Sequence, residues 1–94
     1  MMTQVLKRNG RKQKFDEDKL KHSLEAAANE AGVPEDRCRA LVKAVTREIA
    51  DPVLKEKEVR STYLRERILM TLDKAEPLVA RAWRDYDRES KGLA

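Results

Sequence analysis

The residues with the most chemical content lie near the start of the chain, in the run VLKRNGRKQKFDEDKL from Val5 to Leu20. Lys7, Arg8, Arg11, Lys12 and Lys14 crowd around an Asn9-Gly10 pair, and residues 1–14 carry no acid, so this segment alone is +5. The whole chain is +4 at pH 7, and the remaining eighty residues therefore net −1. The basic character is one local feature. Clustered Lys and Arg donors make charge-assisted hydrogen bonds to phosphate oxygens, so polyphosphate binding is the first chemistry this pattern suggests. The competing reading is an exposed edge hairpin whose lysines guard against pairing with other strands.

Other chemistries have less to stand on. Cys38 is the only cysteine and His22 the only histidine, which excludes an internal disulfide and a zinc finger or ribbon. Cys38 falls on an apolar helix stripe and reads as a buried structural thiol, while His22, between Lys21 and Ser23, reads as a surface residue. The three glycines, Gly10, Gly32 and Gly92, are too far apart for a phosphate-cradling loop, and no G-x-x-x-x-G-K-[ST] is present. No nucleophile stands beside a base and no carboxylate pair stands out, so a binding module is expected and not an enzyme. Without a signal peptide or long apolar run, a cytoplasmic location with no membrane partner is the default expectation.

Ninety-four residues with 40% charged and 4% aromatic side chains suit one domain, residues 1–94, with a modest aliphatic core. Gln4–Arg8 and Arg11–Phe15 read as strands joined by a two-residue type I′ turn at Asn9-Gly10. That register sets Arg8 opposite Arg11 and Lys7 opposite Lys12, two repulsive pairs that suggest a counter-ion. Asp16 caps a first helix with Glu17 and Asp18 in its opening turn. Its inner stripe is Leu20, Leu24, Ala27, Ala28 and Ala31, and Gly32 ends it. A second helix begins near Pro34, buries Cys38, Leu41, Val42, Val45 and Ile49, and stops at Asp51-Pro52. Glu58-Val59-Arg60 suits a short third strand. Ser61 or Thr62 can cap a third helix with Leu64, Ile68, Leu69 and Leu72 inside. Pro77 opens a fourth, with Val79, Ala82, Trp83 and Tyr86 inward. The predicted fold class is α+β: a small β-hairpin or three-stranded sheet packed on a four-helix bundle.

These residues carry a family resemblance. Val5-x-Lys7-Arg8-Asn9-Gly10, then Phe15-Asp16, Lys19-Leu20 and Ser23-Leu24 resemble the opening of the ATP-cone domain. EVRSTYLRERIL and LVARAWRDY resemble its later strand and helices more loosely, so the similarity runs from about Thr3 to Tyr86. ATP-cones are regulatory domains of ribonucleotide reductases and of the bacterial repressor of reductase genes. The resemblance implies ATP or dATP as ligand and a sensor that changes association with itself or with a larger enzyme or regulator; the basic side chains supply countercharge, so Mg²⁺ can accompany the nucleotide but is not strictly required. It implies that Lys7, Arg8 and Lys19 hold phosphates, and that Val5 and Leu6, with Phe15, border the base or ribose. Gln13 and Asp16 would read the adenine edge, and Ser61 would touch phosphate. A single cysteine departs from the four-cysteine zinc ribbon of the family's repressor, and ninety-four residues are too few to hold a reductase catalytic domain. A free-standing domain is the expectation. The alternatives from charge alone remain a nucleic-acid-binding module that uses the basic hairpin, and a protein-interaction bundle.

Overall fold

The computed structural model describes residues 3–90. Its elements run β1 (Gln4–Leu6), β2 (Lys12–Lys14), α1 (Glu17–Glu30), α2 (Glu35–Val53), β3 (Glu58–Arg60), α3 (Ser61–Ala75) and α4 (Pro77–Ser90). The class is α+β. The strands form one sheet in the order β2-β1-β3, with β1 antiparallel to β2 and parallel to β3. The third strand lies where the sequence suggests it.

Local chemistry sets most helix ends. Asp16 Oδ1 accepts from the N–H groups of Asp18 (3.0 Å) and Lys19 (3.2 Å), so it caps α1 as expected. At the other end Gly32 takes φ +80. There its N–H donates to the Asn29 carbonyl and the Val33 N–H to that of Ala28, a Schellman closure. Val33 then packs against the core. Pro34 stands one position ahead of α2, and its carbonyl accepts from Cys38 N–H.

Two expected boundaries are wrong. Asp51-Pro52 does not stop α2: both residues lie inside it, and Leu54 N–H closes the end on the Ala50 carbonyl at 2.8 Å. Val53, buried in the core, holds this last turn in place despite the N–H that Pro52 lacks. Neither Ser61 nor Thr62 caps α3. The cap position is Arg60, with no side-chain hydrogen bond, because β3 runs directly into the helix and turns Ser61 inward to 1% exposure.

The helices form a ring in which α1 packs on α2 and α4, and α3 on α2 and α4. Leu20, Leu24, Ile49, Leu64, Ile68 and Leu72 are buried inside it, with Trp83 at its centre. Trp83 Nε1 donates to Ser23 Oγ at 3.0 Å, and Ser23 passes its own hydroxyl to the Leu20 carbonyl at 2.7 Å. This chain satisfies the polar atoms that burying an indole introduces. Tyr86 is only half-buried. Asp87 takes the next inward position of α4 after Val79 and Trp83, four residues apart each time, and Arg65 Nε reaches its Oδ2 at 2.9 Å.

Val5, Phe15 and Val59 turn the inner face of the sheet onto the same core. Thr3 anchors it, donating its hydroxyl towards the carbonyls of Val53 (3.1 Å) and Glu56 (2.7 Å). Its carbonyl accepts from Phe15 N–H.

Candidate functional site

The hairpin register differs from the expected one. Lys14 lies opposite Gln4, Gln13 opposite Val5 and Lys12 opposite Leu6. Lys7 N–H donates to the Arg11 carbonyl and Gly10 N–H to that of Lys7, so the loop has three residues, Arg8-Asn9-Gly10. Gly10 alone takes the left-handed conformation, at φ +85, and Asn9 Oδ1 accepts from Arg11 N–H. This is a G1-bulge hairpin, which an Asn-Gly pair serves as well as a two-residue turn.

The correction changes the electrostatics. Only Lys7 and Arg11 face each other, Arg8 stands at the loop unopposed, and the second repulsive pair does not exist. Lys12 reaches across β1 to Glu58 at 3.0 Å and so has a counter-ion within the sheet. Lys7, Arg8, Arg11, Lys14 and Lys19 make no ion pair among the described residues. Alternation along the strands carries Lys7 and Arg11 to the face of Val5 and Gln13, whereas Lys12 and Lys14 share the opposite face. Lys12 and Lys14 on the outer strand β2 fit the edge-guarding role, and the inner-face cations are left for a ligand.

The turn from β2 into α1 forms an open cleft of ≈ 580 Å³ lined by residues 13–19. It gathers four of the predicted residues: Gln13, Phe15, Asp16 and Lys19. Beneath the sheet, Val5, Gln13, Phe15 and Asp16 meet Lys19 and Leu64 around a gap of only ≈ 20 Å³. Leu6, Lys7, Arg8 and Ser61 line neither space. Leu6 is half-buried on the outer face, Lys7 and Arg8 stand at the hairpin tip, and Ser61 is sealed at the start of α3. Leu64, one turn beyond Ser61, was legible only as core, although it forms one wall of the gap. Glu17 and Asp18 also line the cleft, and their first-turn acidity signalled only a helix start. Among the described residues no cluster of acid, His or Cys side chains could hold a metal ion, and none of the helices is long and apolar enough to cross a membrane.

A basic hairpin thus stands next to a cleft where the sheet meets the first helix of the bundle. Residues 3–91 match the model of the ATP cone domain, and the chain belongs to that family. It is 35% identical over 91 residues to the transcriptional repressor NrdR of Sorangium cellulosum (strain So ce56), covering 89% of this chain and 58% of that protein. It is 34% identical over 104 residues to the transcriptional repressor NrdR of Anaeromyxobacter sp. (strain K), covering 100% of this chain and 66% of the relative. The chain thus spans 58–66% of the length of these curated relatives.

Proposed function

We propose that residues 1–94 act as one ATP-cone unit that binds ATP or dATP and reports it by changing association with itself or with a larger partner, in the cytoplasm. The observation that carries this reading is a hairpin whose Lys7, Arg8 and Arg11 have no ion pair among the described residues, next to a cleft that holds Lys19, in a member of the ATP-cone family. Lys7, Arg8 and Lys19 would take the phosphates. Lys and Arg then supply the countercharge, so Mg²⁺ is not strictly required. No side-chain hydrogen bond caps the α3 start, where Ser61 sits, so the first-turn N–H groups of that helix would serve as phosphate donors. Val5, Leu6 and Phe15 would border the base and ribose. Gln13 offers both donor and acceptor to the adenine edge. Asp16 spends Oδ1 on the α1 cap, which leaves Oδ2 to accept from the exocyclic amine.

The gap beneath the sheet is far smaller than a nucleotide, so entry there requires the sheet to lift from Leu64. Ligand binding would thereby be tied to hairpin position, and differential affinity for two hairpin states is what lets a domain without chemistry transmit a signal. Calorimetry with ATP, dATP, tripolyphosphate and an oligonucleotide tests the reading. Saturable binding of ATP or dATP, tighter than tripolyphosphate and not displaced by the oligonucleotide, is expected. An oligonucleotide that displaces ATP stoichiometrically would instead favour nucleic acid as the ligand. Light scattering of the apo and nucleotide-bound chain should show a change in mass. An unchanged mass, together with identical captured partners, would remove the switch.

A further inference from the structure

We propose that the groove between α1 and α2 is a second small-molecule site, shaped for a phosphate ester that also carries hydroxyl groups. The groove is ≈ 480 Å³, within the usual range for small ligands. Consecutive helices joined by four residues and packed on each other run antiparallel, so the middle of α1 lies level with the middle of α2.

Four-residue spacing sorts the lining into rows. Glu17, Lys21 and Glu25 form the α1 wall, and Val42, Thr46 and Ala50 form the floor. Arg39, Lys43, Arg47 and Asp51 form the α2 rim. Aligned antiparallel, these rows bring Lys21, Thr46, Lys43 and Arg47 to the middle, with the acids Glu17 and Asp51 towards one end and Glu25 at the other. Arg39 is paired with Glu35 at 2.9 Å. Lys21, Lys43 and Arg47 have no ion pair among the described residues.

The second observation is independent of charge. Thr46 lines the groove at 4% exposure, and its hydroxyl has no hydrogen-bond partner. An orphaned buried hydroxyl destabilises a fold. Threonine in a helix has two populated χ1 rotamers, so a rotation can turn this hydroxyl to an occupant of the groove. A phosphoryl group at the middle would accept from Lys21, Lys43, Arg47 and Thr46. Its carbon skeleton would lie on Val42 and Ala50, and hydroxyl donors would meet Glu17 and Glu25. A continuous nucleic-acid backbone fits poorly, because the glutamates at both ends repel its flanking phosphates.

The test is amide-resolved NMR on the whole chain at constant ionic strength, with ribose 5-phosphate, inorganic phosphate, sulfate and ribose as probes. Saturable shifts centred on Lys21 and on residues 43–47 are expected with ribose 5-phosphate, with weaker binding of the other three. Arg47→Ala should weaken ribose 5-phosphate binding at least about tenfold. Thr46→Val should weaken it while raising Tm, a combination that a purely structural threonine would not produce. The proposal is overturned if ribose 5-phosphate shifts only residues 7–19. It is also overturned if sulfate produces the same response, or if both variants bind as the parent does.

Discussion

The two ends of the molecule are built to different standards. The helical ring closes on Trp83 and a row of fully buried leucines, and its central indole is hydrogen-bonded through Ser23. The sheet end has three strands of three residues each, and β2 is exposed along its whole length. Its attachments are few: Val5, Phe15 and Val59 against the core, and Thr3 to the end of α2. Strands that short are marginal without packing. The bundle therefore carries the stability, and the sheet is the part whose ordering the proposed nucleotide would change. Binding to one local state shifts that state's population without having to unfold the rest.

The largest way to break this contrast is Trp83→Ala, expected to lose about 3–5 kcal/mol of stability in urea unfolding. If the loss were under ~1 kcal/mol, the bundle would not be the stable half. Next come Lys7→Ala and Arg8→Ala. Each should weaken ATP binding by about 1.5–3 kcal/mol in calorimetry with little change in apo stability. Arg81→Ala, exposed on α4, serves as the comparison and should bind as the parent does. Thr3→Val should cost about 1–2 kcal/mol, since two carbonyls at the end of α2 lose their donor. Hydrogen exchange in that variant should rise in β1 and β2 more than in α4. Gly10→Ala should cost about 1 kcal/mol from its left-handed backbone alone, because nothing lies within 4 Å of the added methyl. The smallest effect is Glu58→Gln, within about 0.5 kcal/mol for an exposed pair, read by thermal melting.

What the sequence made legible follows the same division. The helix stripes could be read because each repeats over several turns, and Asp16 and Gly32 mark the ends of α1 by local chemistry. Gln13, Phe15, Asp16 and Lys19 were singled out as site residues only through the family resemblance, and the cleft they share appears once β2 turns into α1. The hairpin register was not, since Asn9-Gly10 satisfies both a two-residue turn and a G1-bulge loop, and only the Lys7–Arg11 pairing distinguishes them. The end of α2 was missed because tertiary burial of Val53 outweighs the breaking tendency of Pro52. Asp87 was missed because its partner, Arg65, comes from another helix. The α1–α2 groove likewise exists only after two helices pack.

The position of β1 also bears on synthesis. It is the central strand, held on one side by β2 and on the other by β3 in parallel, with Val5 level with Val59. The ribosome delivers β1 and β2 together, but β3 only after α1 and α2 have emerged. Until then the open side of β1 exposes unpaired N–H and C=O groups to any passing strand. Closing so distant a contact is slow relative to local helix formation. The nascent chain should therefore fold its first two helices early and finish its sheet late, with the hairpin end the last part to mature.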